Sequence, residues 1–315
     1  MILNTGQISR RMRRGRALGV LGLAALPLIA ACASGDSGAR TPGSTGTSLQ
    51  VVVGFYPLEF VAARLGGDLV TVRNLTPPGG EPHDLEVSAS DLVALRTADL
   101  VIHLGGFMPS LDEGVVTAAS GTAFDVRAAA RLVTNPSGRG RSGSTLDPHF
   151  WLDPLRLADV GDAIAELFAR VDATHARMYL ANAAQLRQDL EQLDGEFTAG
   201  LRSCSIHSMV TSHEAFGYLA ARYGLTLVSV SGLSPEAEPT ATALAAVADI
   251  VRNESITTIY TETLASSEVA ETLASETGAT TALLDPLEGL VDRSGDYFSV
   301  MRTNLATLRI GQVCT

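Results

Sequence analysis

The chain has 315 residues, enough for about two domains, and 46% of them are hydrophobic, which is ample material for buried cores. Its formal charge is −11, with 34 acidic residues against 23 basic ones. No basic patch stands out in the body of the chain, which excludes a protein that grips nucleic-acid backbones.

The chain opens with "RRMRRGR", Arg10 to Arg16, a basic segment, followed by "ALGVLGLAALPLIAA", Ala17 to Ala31. These 15 apolar residues fall short of the roughly 20 that span a bilayer as a permanent helix. The pair predicts a secretory signal over 1–31, with an N-terminal anchor helix as the competing reading. The signal ends in "IAAC" and resembles a bacterial lipobox, so Cys32 is the expected lipidation site, against an ordinary cleavage site with an incidental cysteine. Two or more acyl chains there anchor stably to a membrane. Residues 32–48 are rich in Gly, Ser and Thr and predict a flexible, lipid-anchored tether with a reach of about 20–24 Å. Without the five arginines of the signal, 18 arginines stand against 34 acidic residues, a charge of −16. Cys204 and Cys314 are the remaining cysteines, and in an exported, oxidising setting an even pair predicts a disulfide, against two buried thiols.

The fold begins at "QVVVGF", a β-branched run suited to a buried strand. "PLEFVAARLGG" follows as a helix, with Pro57 in its first turn and Gly66–Gly67 at its end. "LVTVRNLT" is a strand, "SASDLVALRTA" a helix capped by Ser88 or Ser90, "DLVIHLG" a strand and "PSLDEGVVTAA" a helix. A long loop spans Thr134 to Pro154, followed by the helix "PLRLADVGDAIAELFARV". The stretch Asp172–Ser203 spaces its apolar residues for one face of a helix, and about 28 helical residues reach about 40 Å. It predicts a spine joining two lobes. After it the alternation repeats: "SMVT" strand, "AFGYLAARYGL" helix, "TLVSVSGL" strand, "TATALAAVADIVRNESI" helix, "TTIYTET" strand, "SSEVAETLASETGA" helix, "TTALL" strand and "DYFSVMRTNLATLRIGQ" helix. The expected fold is α/β: two lobes, each a parallel sheet flanked by helices, with an N-terminal metal-binding lobe at 49–172, a linking helix at 173–202 and a C-terminal metal-binding lobe at 203–315.

In open parallel sheets, ligands bind at the carboxyl ends of the strands. His83 lies in the loop after the second strand, in "GGEPHDLEVSASDL". His149 closes the long loop in "DPHFWLDP", His213 follows a strand in "VTSHEAFGYL", and Asp285 ends the last strand in "ALLDPLEGL". Three imidazoles and one carboxylate, two from each lobe, make a four-coordinate set suited to zinc. With Cys204 and Cys314 paired, no thiolate is left for a metal.

These segments, with "SPEAEPT" and "TETLASSEVAETLASETGA" in the same order, resemble the metal-binding, substrate-binding proteins of zinc and manganese ABC importers over nearly the whole mature chain. The resemblance implies a periplasmic-binding-protein-like fold of the helical-backbone class. It also implies an outward-facing, lipid-anchored role: a monomeric receptor that captures Zn2+ in the inter-lobe cleft and passes it to an ABC permease with its ATPase. Its implied ligands are His83, His149, His213 and Asp285. Manganese members usually carry glutamate at the position of His213, so histidine there favours zinc; a manganese or mixed receptor is the alternative. The chain departs from many zinc members in lacking a His-rich loop before His149, where it reads "TNPSGRGRSGST", and in having Leu85 where an aromatic residue is common.

Glu81, Glu214 and Glu262 stand close to the ligand loops and are candidates to orient the imidazoles, against an ordinary capping or surface role. His103 is read as a pocket histidine, His175 as solvent-facing on the spine, His207 as a surface residue and Trp151 as cleft wall or core. A zinc hydrolase with Glu214 or Glu262 as base is the competing class, but there is no H-E-x-x-H and a fourth protein ligand would close the metal's open position. A receptor for an organic metal chelate would need an aromatic-lined cleft, and only 5% of the chain is aromatic.

Overall fold

The computed structural model of the protein describes residues 48–119, 121–134, 146–292 and 294–315. The expected signal, Cys32 and the tether up to residue 47 lie outside the described residues, as does 135–145 of the long loop. The first sheet has four parallel strands, β1 (Leu49–Val53), β2 (Val70–Asn74), β3 (Leu100–His103) and β4 (Ala123–Asp125), in the order β2-β1-β3-β4. Val52 pairs with Arg73 on one side and Val101 on the other. Every residue of β3 is buried, as a strand covered on both faces requires.

Helices α1 (Tyr56–Gly66), α2 (Ala89–Thr97), α3 (Pro109–Ala118) and α4 (Arg127–Ala130) connect or follow these strands. Pro57 sits in the first turn of α1, and Ser88 closes α2 with a capping box against Asp91. The short β4 and α4 were not anticipated from the sequence.

The second sheet repeats the first. Its strands β5 (Ser208–Thr211), β6 (Thr226–Ser229), β7 (Thr258–Thr261) and β8 (Thr280–Leu283) run parallel in the order β6-β5-β7-β8. Helices α7 (Gly217–Arg222), α8 (Ala241–Asn253), α9 (Glu268–Thr277) and α10 (Tyr297–Gly311) accompany them.

Between the sheets run α5 (Pro154–Val171), capped by Asp153, and the 26-residue α6 (Ala176–Leu201), about 39 Å long. The buried residues of α6 are Tyr179, Ala183, Leu186, Leu190, Leu193, Phe197 and Leu201, a single stripe at three- and four-residue spacing. Each large one contributes about 1.5–3 kcal/mol by leaving water. Helix α6 packs along α5 and meets both α1 and α10, so it touches both halves. Asn182 donates to the Leu65 carbonyl at 2.8 Å, and Arg302 of α10 pairs with Glu196 at 2.8 Å.

An aromatic seam also joins the halves. Phe55 and Phe107 pack on Trp151 with centroids 4.9 and 5.8 Å away, and Phe60 stacks on Tyr297 at 5.2 Å. The Trp151 indole N–H donates to the Pro286 carbonyl at 2.8 Å, and the Tyr297 hydroxyl donates to the Trp151 carbonyl at 2.7 Å. Cys204 and Cys314 form a disulfide across 110 residues, which ties the end of the chain to the approach to β5. Among the described residues, no helix is long and apolar enough to cross a membrane.

Candidate metal centre

His83 rides on a 3-10 turn, Pro82–Asp84, in the loop after β2. Gly79 adopts φ +73°, which bends the chain into that turn where a side chain would be strained. The Glu81 carboxylate accepts the His83 backbone N–H at 3.0 Å, and the His83 ring packs edge-on against Phe107 at 4.7 Å.

His149 lies just before a second 3-10 turn, Phe150–Leu152, and is fully buried. Asp147 Oδ1 accepts both its backbone N–H at 2.9 Å and its ring Nδ1–H at 2.8 Å. His213 follows β5. Glu262, at the end of β7, accepts its backbone N–H at 2.9 Å and bonds its Nδ1 through the other oxygen. An ionised carboxylate only accepts, so each ring carries a proton on Nδ1, whatever the state of Nε2, which it turns toward the cleft.

The fourth member is Glu288, beyond β8. Its Oε1 lies 3.5, 3.0 and 3.3 Å from Nε2 of His83, His149 and His213. One donor atom from each of the four residues lies within 4.8 Å of every other. Tetrahedral zinc with bonds of 2.0–2.1 Å sets its donors about 3.3–3.4 Å apart, so the nitrogen–oxygen edges already have the length such an ion demands.

The structure does not bring Asp285 into this cluster. Its Oδ1 is turned back to accept the Leu287 N–H at 2.7 Å, while its own N–H donates to Asn304 at 2.9 Å. An aspartate before proline commonly closes a local turn in this way. Leu287 then adopts φ +57°, and the turn brings Glu288 round to the cleft. Gly289 follows, where a Cβ would stand 3.2 Å from the Gly80 carbonyl of the other lobe. Asp147 was also missed, although an acid two residues before a histidine, with proline between, is a turn signal in "LDPHF".

Of the three candidate orienting acids, Glu262 holds the His213 ring, and Glu81 holds the His83 backbone rather than its ring. Glu214 is buried, with its N–H on the Gly232 carbonyl. His103 is buried in β3, 3.4 Å from Asp112. His175 stands partly exposed at the N-cap position of α6, where its ring bonds Asp172 at 2.6 Å. His207 is exposed.

The electrostatics follow from burial and pairing. Burial would lower the pKa of His149 and His213, but their bonds to Asp147 and Glu288, and to Glu262 and Glu288, outweigh it and raise both, His213 well above 6.5. Burial prevails at His83, which is lowered. Burial would raise Glu288, yet the imidazole bonds hold it well below the usual carboxylate range. Burial and the neighbouring Glu288 charge push Glu81 up to about 8.

A family model described as zinc-uptake complex component A, periplasmic (ZnuA), matches residues 51–311. The chain is 36% identical over 287 residues to the zinc-binding protein AdcA of Streptococcus pyogenes serotype M6, covering 83% of this chain and 56% of that one. It therefore spans about half the length of such AdcA relatives. It is 31% identical over 306 residues to the high-affinity zinc uptake system protein ZnuA of Bacillus subtilis, covering 92% and 96%. Among solved structures, the Zn(II)-bound ZnuA-like domain of Streptococcus pneumoniae AdcA aligns with a TM-score of 0.71 at 32% identity, over 84% of this chain and 99% of that one.

Proposed function

The chain belongs to the family of periplasmic zinc-uptake components, and from that premise we propose that it is an extracytoplasmic receptor that captures Zn2+ between its lobes and delivers it to an ABC permease with its ATPase. The ligands in this reading are His83, His149, His213 and Glu288. The carrying observation is the convergence of three Nε2 atoms on one carboxylate oxygen, with two of the rings held from behind by Asp147 and Glu262. The lobes are 49–172 and 203–315, joined by 173–202, and Cys32 carries the lipid that holds the receptor at the membrane. A nitrogen-rich, four-donor set suits zinc better than manganese, which takes six oxygen-rich donors. Four protein donors also leave zinc no open position for a hydrolytic water. Metal analysis of the purified protein, with zinc titrated against manganese, tests this: one zinc per chain that manganese displaces poorly supports it, and preferential manganese uptake refutes it.

The orienting carboxylates have a measurable share. Removing such a partner typically lowers metal affinity 10–100-fold. Asp147→Asn and Glu262→Gln are each expected to weaken zinc binding by about 10–100-fold in competition with a chromogenic chelator.

Acid opposes binding, because protons and metal compete for the same Nε2 atoms. His149 and His213 have raised pKa values in the metal-free site, so metal entry must expel protons. Zinc affinity should therefore rise with pH, and go on rising above pH 6.5, since His213 titrates well above that value. Calorimetry in buffers of different ionisation enthalpy should record proton release, and a flat affinity between about pH 6 and 8 would contradict the assignment.

A further inference from the structure

We infer that Tyr218 is a positioning residue for the captured metal: from α7 of the second lobe, its hydroxyl fixes the first-lobe turn that aims His149. The inference rests on the reading of His149 as a ligand.

Tyr218 is buried, and its ring lies under the Arg156 guanidinium at 4.7 Å. Arg156 is itself tied to the Ala130 and Arg131 carbonyls at 2.8 and 2.6 Å, so the ring has little freedom. At the far end, the hydroxyl accepts the Val133 N–H at 2.9 Å and donates to the Asp147 carbonyl at 2.9 Å. Val133 and Asp147 also bond directly, Asp147 N–H to Val133 carbonyl at 3.0 Å. One hydroxyl thus closes the neck from which the His149 turn springs.

Asp147 passes this placement on. Its main chain is held by Tyr218, and its Oδ1 holds both the backbone N–H and the Nδ1–H of His149. Directly after that turn, Asp153 is held by Arg222, also on α7, at 3.3 Å. The segment 147–153 is therefore gripped at both ends by one short helix, and that helix starts just after His213. The same stretch of chain supplies one ligand directly and sets the aim of another across the lobe boundary. A hydroxyl that merely filled a hydrogen-bonding need would affect stability and leave metal release alone.

Tyr218→Phe removes the hydroxyl and keeps the ring on Arg156. Its zinc Kd is expected to rise about tenfold, through faster dissociation, and the His149 Nδ1–H resonance of the metal-free protein should shift or broaden. The control is Tyr179→Phe, which removes a hydroxyl bonded to Asp172 at 2.8 Å and should leave zinc affinity within about twofold. If Tyr218→Phe does not fold, Arg156→Gln frees the ring from its other side and should raise Kd about threefold. The proposal is overturned if Tyr218→Phe loses stability as Tyr179→Phe does while its zinc off-rate and His149 signal match the wild type. If His149→Ala binds zinc as tightly as the wild type, the ligand reading fails first and takes the proposal with it.

Discussion

Replacing Glu288 by glutamine weakens zinc binding by about 100-fold or more, while Asp285→Asn leaves it within about threefold. The two acids share one loop, three residues apart, but occupy different worlds. Glu288 Oε1 faces all three Nε2 atoms at 3.0–3.5 Å. The Asp285 carboxylate is spent on the Leu287 N–H, which an asparagine oxygen accepts as well. The amide at 288 removes the only anionic donor from a buried site that must receive a dication, so its effect should exceed the loss of an orienting partner. Competition titration of both variants decides the matter. Equal losses would mean that Asp285 reaches the ion when metal is bound, and a large loss for Asp285→Asn alone would restore the sequence-based assignment.

Breaking the Cys204–Cys314 bridge should have the largest effect on stability. The bridge closes 110 residues, for which chain entropy gives about 4–5 kcal/mol, often less in practice. At about 2–4 °C per kcal/mol for a protein of this size, the Tm should fall by about 8–20 °C. Zinc affinity of the folded protein should barely change. Cys204 precedes β5 and His213 follows it, so the bridge and the metal centre sit at opposite ends of that strand. Main-chain bonds from Ser205 to Val313 and Ile206 to Gln312, with the Gln312 side chain on the Ser208 carbonyl, keep the terminus docked once the sulfurs part. Thermal unfolding of Cys204→Ser/Cys314→Ser beside the wild type measures the first expectation, and zinc titration the second. An unchanged Tm would show that those main-chain bonds alone hold the terminus.

Much of this was legible in the sequence because the signals are local. Both sheets announce themselves as short apolar runs between helical patterns, and α6 through its apolar stripe. Strand β4 was not legible: "AFD" is three half-buried residues, too short for any period to show. Each histidine of the cluster could be singled out because it lies in a loop between a strand and a later helix, where open parallel sheets place their ligands. For the fourth donor the sequence pointed to Asp285 and not to Glu288, since the choice depends on which side chain its own turn consumes. Tyr218 was invisible for another reason. Its role arises from a contact with Asp147, 71 residues away in sequence, which a single sequence does not record. The aromatic seam is the same case: Phe55, Phe60, Phe107, Trp151 and Tyr297 are scattered singly and meet only in the folded chain.

The central claim is that three imidazoles and the Glu288 carboxylate hold one zinc ion. Zinc K-edge X-ray absorption on protein loaded with one equivalent of metal tests it most directly. The expected result is three imidazole nitrogens and one carboxylate oxygen at about 2.0–2.1 Å, with the oxygen altered in Glu288→Gln and untouched in Asp285→Asn. A six-atom shell at longer distance, a sulfur ligand or fewer than three imidazoles would contradict it.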